Sequence, residues 1–447
     1  MRHITFLRPN LGFGPPHDAM APLVFAILKG LTPDRFETHL IDERVEPFAP
    51  VETDLVAITV ETFTARRAYE LADWYRALGV PVVMGGHHPS MRPDEAAAHA
   101  DAVVVGDAEG VWPGLLEDAE AGRLRPRYQG GMGLAEGRRL TLDRTVWAGR
   151  KYAPVELVQA GRGCRFACDF CSIHAFYGTE RAMRPAGEVA AEIAALPGRR
   201  MIFFTDDNLY WTRDTFLALM AALAPLNRRW SCQITIDMAR DDALMAEMAR
   251  AGCALVLIGF ESLDAGNRRQ MRKNWSHVSG SYRDVIARLH RHGIMVYGTF
   301  VFGYDADTPT AYDDAADFAV ETGLAIANFN PLTPMPGTGL YDRLEANGQL
   351  LRPDWWLDPT YRYGDAIFAP RGMTPAALRD GAMRARGRFY ATGSILSRAG
   401  RGLRHWGVRP TGLMLLANLL SRREIARKQA RALSSETPLD AIPEAAE

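Results

Sequence analysis

Three cysteines within eight residues carry the strongest chemical signal in this 447-residue chain. They lie in the segment GRGCRFACDFC as Cys164, Cys168 and Cys171, spaced C-x3-C-x2-C, directly after a predicted strand. Three thiolates on one loop can ligate three irons of a cubane cluster and leave the fourth iron open to an exogenous ligand. An open iron indicates a reactive site rather than a purely structural one. The alternative is three buried or zinc-bound cysteines. It is less favoured because structural zinc takes four ligands in paired spacing, and the sequence has no second Cys/His pair of that kind.

Polar residues follow the next predicted strand. It runs into FFTDDNLY, where Asp206, Asp207 and Asn208 offer hydrogen-bond acceptors at a strand end, the place where barrels of parallel strands carry catalytic groups. The alternative is an ordinary Asp/Asn cap for the helix that starts near Thr212. Both uses are compatible, with at least one of the three side chains facing a ligand.

The third and fourth strands of this series also end in polar groups. Gln233, Thr235 and Asp237 alternate onto one face, as the two-residue period of a strand requires. The fourth strand, ALVLIGFES, ends in three further candidates: Gly259, Glu261 and Ser262. Each of these residues fits a satisfied polar position inside a barrel end equally well.

The cysteine loop resembles the signature of the radical S-adenosylmethionine (SAM) superfamily, which has this triad and an aromatic residue just before the third cysteine, here Phe170. The resemblance covers about residues 155–340. It implies that the cysteines hold a [4Fe–4S] cluster and that the open iron is chelated by the amino and carboxylate groups of SAM. Reductive cleavage of SAM would then yield a 5′-deoxyadenosyl radical.

The same resemblance gives expected roles to the polar strand ends. The segment Asp206–Asn208 stands where the family has a motif for the amino group of SAM, and Gly259 and Glu261 resemble an element near the adenine and ribose. Gln233 and Asp237 are expected to reach the ribose or the carboxylate. The segment NFNPLTPMPGTGLY is similar to a family segment at the substrate side of the barrel, although its Pro and Gly also make an ordinary rigid loop.

Two series of strands and helices must position these residues. From residue 2 to about 125, apolar strand candidates alternate with amphipathic helices, which is typical of a doubly wound parallel sheet. The strand candidates are HITFLRP, ETHLIDE, DLVAITV, PVVMGG and DAVVVGD. Turns at Gly85-Gly86 and at Gly106 follow two of them, and ligands of such sheets bind at the strand C-termini.

A second series begins near residue 155 and predicts a partial (β/α)6 barrel. Its strand candidates are VELVQAG, RMIFFTD, WSCQITID, ALVLIGF, GIMVYGTFVFG and LAIANFN, with helices around 186–196, 213–225, 241–251, 282–292 and 310–322. The fold class is therefore α/β. The predicted division is a cobalamin-binding-like Rossmann-type domain at 1–128, a linker at 129–152, the barrel at 153–345 and a helical region at 346–447 with a disordered tail.

The order of a doubly wound domain and then the barrel resembles the cobalamin-binding class of this superfamily. DWWLDPTYRYGD resembles a C-terminal region of the branch that includes hopanoid methylases. Well-known cobalamin domains supply an axial ligand from an Asp-x-His-x-x-Gly loop, which is absent here. Relatives without it either hold cobalamin with no protein His ligand or have lost the cofactor. The resemblance favours bound cobalamin at the GGHHP and GDAEG turns, with His17, His87 and His88 as structural hydrogen bonders.

Composition restricts location and partners. Lys plus Arg (52) nearly cancels Asp plus Glu (53), which gives no reason to expect nucleic acid. No signal peptide or membrane span is predicted, and sparse cysteines fit a reducing cytoplasm. Cys232 and Cys253 are expected to be buried small hydrophobes. The Arg-rich region 373–431 predicts either peripheral membrane contact or, as we prefer, a solvated face of a packed helix.

The leading hypothesis is a methyltransferase that acts on an unactivated carbon of a small-molecule or lipid-like substrate, with methylcobalamin as methyl carrier and an electron donor such as flavodoxin or ferredoxin. The main alternative is a radical SAM cyclase, oxidase or rearrangement enzyme with a vestigial cobalamin domain. A non-catalytic iron–sulfur sensor is the alternative of another class. The polar groups at several strand ends argue against a sensor.

Overall fold

The computed structural model describes residues 1–11, 19–134, 140–198, 200–276, 281–428 and 431–433. His17 and the segment from residue 434, for which the sequence predicts disorder, lie outside these ranges. Within the described ranges, none of the helices combines the length and the apolar character needed to cross a membrane.

The first sheet has six parallel strands in the order β2-β1-β3-β4-β5-β6. The strands are β1 (His3–Arg8), β2 (Glu37–Asp42), β3 (Leu55–Thr59), β4 (Val82–Gly85), β5 (Ala102–Val105) and β6 (Arg127–Gln129). The helices are α1 (Leu23–Leu31), α2 (Ala65–Ala77), α3 (His87–Met91), α4 (Pro93–Ala97) and α5 (Trp112–Glu120). The doubly wound sheet and its five predicted strands are confirmed. The sequence did not reveal β6, because only its central Tyr128 is buried.

Residues of this sheet alternate between two apolar layers. Val56 and Ile58 of β3 belong to the core under α2, whereas Leu55 and Ala57 belong to the core that includes Trp112 of α5. Successive side chains of a strand point to opposite faces, so a strand covered on both faces is apolar throughout. This is why the pattern of uninterrupted apolar runs predicted a doubly wound sheet.

The second sheet also has six parallel strands, in the order β14-β13-β12-β11-β10-β7. These are β7 (Val155–Val158), β10 (Met201–Phe204), β11 (Trp230–Gln233), β12 (Cys253–Glu261), β13 (Met295–Phe302) and β14 (Ile326–Pro331). A short hairpin, β8 (Gly161–Arg162) and β9 (Ala182–Met183), encloses α6 (Ser172–Tyr177). The other helices are α7 (Ala186–Ala195), α8 (Arg213–Leu223), α9 (Asp242–Arg250), α10 (Ala265–Gln270), α11 (Tyr282–Arg291) and α12 (Ala311–Glu321). All six predicted strands and five predicted helices are confirmed, as is the partial barrel.

The remaining helices are α13 (Gly339–Ala346), α14 (Pro375–Phe389), α15 (Thr392–Trp406) and α16 (Val408–Lys428). Met414 and Asn418 of α16 are buried against the barrel, so the predicted packed helix is present. Trp355 and Trp356, between α13 and α14, are fully buried in the core of the first sheet. The exact domain boundaries stay a prediction.

Candidate cluster and cofactor site

The cysteine triad lies in one loop between β8 and α6. Cys171 immediately precedes α6, and its N–H donates to the carbonyl oxygen of Cys168 at 3.1 Å. Cys168 is buried, whereas Cys164 and Cys171 are half-buried. The loop thus presents three sulfurs over a few residues at the carboxyl end of the barrel strands.

Backbone N–H groups act electrostatically on two of these sulfurs. The N–H of Phe166 lowers the pKa of the Cys164 thiol, and two N–H groups from the first turn of α6 lower that of the Cys171 thiol. Burial nevertheless raises the pKa of all three thiols, that of Cys168 to about 12. Without a metal the thiols therefore hold their protons at neutral pH, whereas coordination to iron would deprotonate them.

Two adjacent carboxylates fasten the backbone of this loop. The Ala160 N–H donates to Oδ2 of Asp206 at 2.9 Å, and the Gly163 N–H donates to Oδ2 of Asp207 at 2.8 Å. Asp206 is 4% exposed, and its burial raises its pKa to about 7. The alternative role as a helix cap is wrong, because Thr212 caps α8. The predicted contact of the two carboxylates with SAM stays a prediction.

Three more predicted residues lie beside the loop. Asp237 forms an ion pair with Arg165, which directly follows Cys164. Asn208 is buried and donates to the Thr235 hydroxyl at 3.2 Å. Gln233 is exposed and is the last residue of β11. The sequence predicted Thr235 and Asp237 on this strand, but both lie beyond its end, although the alternation of buried and less buried residues continues. The Ile234 N–H still donates to the Leu257 carbonyl at 3.0 Å, and the backbone turns at 236–237.

Gly259 and Glu261 surround a buried cation that sequence reasoning missed. Nζ of Lys273 lies 3.0 Å from Oε1 of Glu261 and donates to the carbonyl of Gly259 at 2.8 Å. Glu261 has a left-handed φ of 60° where the register with β13 shifts, and a Cβ on Gly259 would lie 2.0 Å from its carboxylate. Burial alone lowers the pKa of Lys273, but Glu261 and Cys168 raise it above its usual value. A positive charge is thereby held near Cys168.

Another missed residue, Asp169, joins the loop to the end of the barrel. It accepts hydrogen bonds from the hydroxyl of Tyr304 at 2.6 Å and from Arg343 of α13 at 2.8 Å. The Leu340 N–H donates to the Asp169 carbonyl at 2.9 Å. The PGTGLY segment, which the resemblance assigns to the substrate side, thus packs directly against the cysteine loop. Phe170 packs against the main barrel core.

A cavity of 430 Å³ lies between the carboxyl ends of the two sheets; we call it the intersheet cavity. From the first sheet it is lined by the predicted Gly85, Gly86 and Gly106 together with apolar side chains, among them Leu23, Ile27, Val104 and Trp112. From the barrel it is lined by residues on both sides of the cysteine loop, among them Leu157, Gln159, Ile173, Phe176, Thr205 and Asp207. The predicted glycine turns therefore face residues on both sides of the cysteine loop across one space, whereas Cys168 and Cys171 line a separate recess.

Two of the three glycines are required by the backbone. Gly86 and Gly106 have φ of 105° and 84°, and a Cβ at Gly106 would lie 3.0 Å from the carbonyl oxygen of Gly130. Gly85 has ordinary backbone and room for a methyl group. All three lie at turns that the sequence predicted to bind cobalamin, whereas positive φ by itself explains why two of them are glycine.

Ion pairs join the two sheets beside the cavity. Arg162, directly before Gly163 of the cysteine loop, lies 2.7 Å from Asp107 and 2.6 Å from Glu109. The hydroxyl of Tyr177 donates to Asp107 at 2.9 Å. These side chains are buried, so the GDAEG turn and the cysteine loop are held in fixed relation.

Both histidines of the GGHHP turn already have protein partners. Nε2 of His87 donates to the carbonyl of Ser172 at 3.1 Å. His88 is fully buried, with its ring nitrogens 3.3 Å from the Thr62 hydroxyl and 3.0 Å from Glu95. They are structural hydrogen bonders, as predicted. Cys232 and Cys253 are likewise buried, as expected of small hydrophobes.

Comparison with protein families identifies the barrel. The family model described as "Radical SAM superfamily" matches residues 158–319, the span from the end of β7 to α12. Residues 158–319 therefore form a radical SAM domain. The chain is accordingly an enzyme rather than a sensor, and this match implies a [4Fe–4S] cluster and SAM as cofactors.

Curated relatives extend over most of the chain. The bacteriochlorophyllide d C-12(1)-methyltransferase of Chlorobaculum tepidum is 29% identical over 390 residues, 84% of each chain. The hopanoid C-2 methylase of Rhodopseudomonas palustris is 22% identical over 75% of this chain and 66% of its own. A solved radical SAM methyltransferase of Kitasatospora setae, with cobalamin and a [4Fe–4S] cluster bound, superposes with a TM-score of 0.66 at 17% identity over 95% of this chain and 99% of its own. That structure shares the arrangement of both sheets.

The residues present fit the implied cluster. Three free thiols on one loop, two of them near backbone N–H groups that lower their pKa, are a donor set that suits a metal–sulfur cluster. Among the described residues no three His, Cys, Asp or Glu side chains converge on one metal ion. A cubane does not need this, because each thiolate binds a different iron. Cys164, Cys168 and Cys171 therefore fit the cluster as a donor set, and their role as its ligands stays a prediction.

Proposed function

We propose that this chain is a cobalamin-dependent radical SAM enzyme that methylates an unactivated carbon of a small-molecule or lipid-like substrate. The observation that carries the proposal is the intersheet cavity, because it places the glycine turns of the first sheet opposite the flanks of the cysteine loop. Two cofactors that act on one substrate need such a shared space. The methyltransferases of C. tepidum and R. palustris, similar to most of this chain, support the same reaction class.

When bound, the cluster and SAM supply radical activation of a carbon–hydrogen bond, and cobalamin supplies the methyl carrier. The chain's own residues hold the cysteine loop in place and shield the cavity from water. Asp206 and Asp207 fix the backbone before the first cysteine, and Lys273 places a positive charge near Cys168. Apolar residues such as Leu157 line the cavity and exclude water from it.

Cobalamin would bind here without a histidine below the cobalt. His87 lines the cavity, but its Nε2 proton is given to Ser172, and burial lowers the pKa of the ring. His88 is fully enclosed. We therefore expect His87→Ala and His88→Ala to leave the absorbance spectrum of bound hydroxocobalamin unaltered. A changed spectrum in either variant would show that a histidine ligand had been missed.

Product mass distinguishes methylation from the main alternative. With SAM that carries a deuterated methyl group, we expect a product one labelled methyl group heavier than the substrate. A cyclase or oxidase reaction would leave the label in SAM-derived methionine. That alternative has its own support, since an anaerobic magnesium-protoporphyrin IX monomethyl ester cyclase of Cereibacter sphaeroides is 23% identical over 80% of this chain. An unlabelled product would make it the better account.

The electron donor is proposed to be a small acidic protein such as flavodoxin or ferredoxin. A recess of 510 Å³ reaches Cys168 and Cys171 and is lined by Arg272, which is exposed, and by Arg343. Cationic residues beside a redox centre suit an acidic partner. Arg272→Glu should slow turnover with reduced flavodoxin while turnover with dithionite is unchanged. Equal slowing with both reductants would exclude this docking face.

Peripheral membrane contact is proposed for α15 and α16. Exposed leucines stand on these helices at positions 396, 403, 413, 416 and 420, and residues 391–423 contain no Asp or Glu. Arg404, Arg409, Arg422 and Arg423 are exposed among them. An apolar face with basic neighbours fits an anionic membrane surface. The protein should therefore sediment with phosphatidylglycerol vesicles but not with phosphatidylcholine vesicles. The double variant Leu413→Ser/Leu416→Ser should stay in the supernatant, and co-sedimentation of this variant would exclude the surface.

A further inference from the structure

A second cavity lies at the opposite end of the barrel from the cysteine loop. Its volume is 390 Å³, and it is lined by one face of α11, by the end of α12 with the turn that follows it, and by one face of α15. The turns after α11 and α12 lead into β13 and β14, so the cavity is at the amino ends of these strands. The cysteine loop is at the carboxyl ends, which means that this cavity is separate from the proposed active site.

Three residues that line this cavity each have a buried side-chain nitrogen without a hydrogen-bond partner among the residues that the structure describes. These are Nε of Arg401, Nε1 of Trp406 and Nε2 of His290, which donates in the tautomer that carries its proton there. The rings of His290 and Trp406 are 5.2 Å apart, and a Cβ built on Gly323 would lie 3.6 Å from both Arg401 and His290. His290 is 7% exposed. Buried polar groups normally have partners, so three unpaired donors around one space indicate a missing acceptor.

The charge around this space identifies the acceptor as an anion. Arg283, Arg291 and Arg401 line the cavity, and the one acid among its described lining residues, Glu321, is paired with Arg283 at 2.6 Å. The terminal nitrogens of Arg401 donate to carbonyl oxygens at the end of α12, including that of Glu321. Capping of a helix C-terminus explains these contacts, but it leaves Nε of Arg401 unused.

We propose that this cavity binds a phosphate-class oxyanion, either as free phosphate or as the headgroup of an anionic lipid. Several oxygen acceptors on one small group can take the three donors together, and the arginines offset its charge. The proposal does not depend on the proposed methyl transfer. It assigns to the C-terminal helical region a ligand that ties α15 to α11 and α12.

The His290 ring reports on such a ligand directly. Burial, with help from His405 and Arg401, lowers the pKa of His290 to about 4. A bound anion opposes the effect of these cationic neighbours and should raise the pKa. The other charged groups that line the cavity around the ring are Arg283, Arg291 and Glu321.

The test is an NMR titration of the reconstituted full chain with 13C-labelled histidine, using inorganic phosphate as the probe. Phosphate should shift the His290 resonance with saturation and raise its pKa. Trp406→Phe removes one donor and keeps the packing, and it should weaken phosphate binding about tenfold. The matched control is His292→Gln, because this ring bonds to Asp242 at 3.0 Å and does not line the cavity. It should bind phosphate like the parent.

Phosphatidylglycerol vesicles form the second arm of this experiment. A His290 response to vesicles but not to inorganic phosphate would assign the site to a lipid headgroup, and a response to inorganic phosphate would assign it to the free anion. If neither probe moves the His290 resonance, the proposal is wrong. It is equally wrong if Trp406→Phe, with an unchanged melting temperature, binds as tightly as the parent.

Discussion

The cysteine loop and the intersheet cavity lie side by side but are built in different ways. The loop is held by hydrogen bonds to Asp206 and Asp207 and by the Asp169 network, and the charge of Lys273 acts on Cys168. The cavity beside it is lined mainly by apolar side chains and two left-handed glycine turns, Gly86 and Gly106, and its charged lining residues Arg162, Asp107 and Glu109 are paired with each other. A charged group in a buried site needs several fixed partners, whereas a large ligand needs shape.

This difference has a consequence for variants. Changes at the loop should leave buried charges or backbone groups without partners, which costs much free energy and affects the cluster. Changes at the cavity should alter shape and cost less, with the effect confined to the ligand of that space. Four sets of variants perturb the two regions separately, in order from the largest expected effect to the smallest.

Removal of any ligand thiol should abolish the site. Replacing Cys164, Cys168 or Cys171 with Ala is expected to remove the cluster and the formation of 5′-deoxyadenosine, because a three-thiolate site has no spare ligand. Iron analysis and anaerobic assay of 5′-deoxyadenosine measure both. Cys232→Ala is the matched control and should keep its iron. Reductive SAM cleavage by the triple variant, or loss of iron in the control, would disprove the assignment of ligands.

Lys273→Met should be the most damaging change that spares the thiols. It leaves the carboxylate of Glu261 buried without its partner, which costs about 3–5 kcal/mol. The melting temperature and iron content should both fall, and the double variant Lys273→Met/Glu261→Gln should recover part of the loss. Arg35→Met, which breaks an exposed pair with Glu120, is the control and should cost about 0–1 kcal/mol. Equal costs for the two single variants would refute the role of burial.

The raised pKa of Asp206 predicts that the stability of the folded protein depends on pH. Burial raises its pKa from 3.8 to about 7, so the folded state binds this proton more tightly than the unfolded state. Its contribution to stability is full below about pH 4 and is lost as the pH rises to about 7. Asp206→Asn should therefore gain roughly 2–4 kcal/mol on the parent across this interval. Melting temperatures of both proteins against pH test this, with exposed Asp34→Asn as control. Parallel curves for Asp206→Asn and the parent would contradict it.

The smallest effect is expected on the cavity side. Gly106→Ala places a Cβ 3.0 Å from the Gly130 carbonyl in a left-handed residue and should cost about 1–2 kcal/mol. We expect weaker cobalamin binding with unchanged iron content. Gly114→Ala in α5, where a Cβ has open space, should bind cobalamin like the parent. Loss of iron in Gly106→Ala would show that the two regions do not separate.

The sequence predicted the elements of both sheets well because fully buried strands are apolar throughout. Only the short β6 was missed, since Tyr128 alone is buried there. The three cysteines were found because their spacing in one loop is local information. The two glycine turns were found for the same reason, although positive φ and not only ligand approach explains Gly86 and Gly106.

Contacts between residues that are distant in the chain could not be predicted from the sequence. Lys273 follows α10 in an unremarkable segment, and only the fold brings it to Glu261 and near Cys168. The pairing of Arg162 with Asp107 joins the two sheets across 55 residues. The sequence contained one signal for the pairing of Arg162 with Asp107. Arginine is rarely buried without a charged partner, so an arginine within the GRGC motif indicates an acidic residue elsewhere in the chain.

The most direct test of the account is the cobalt content of the protein. The chain is reconstituted anaerobically with iron, sulfide and hydroxocobalamin, desalted, and analysed for iron and cobalt. We predict one cobalt per chain in protein with an intact cluster, and less in Gly106→Ala than in Gly114→Ala. Absence of stoichiometric cobalt while the cluster is intact would remove the methyl carrier and contradict the proposed methyl transfer.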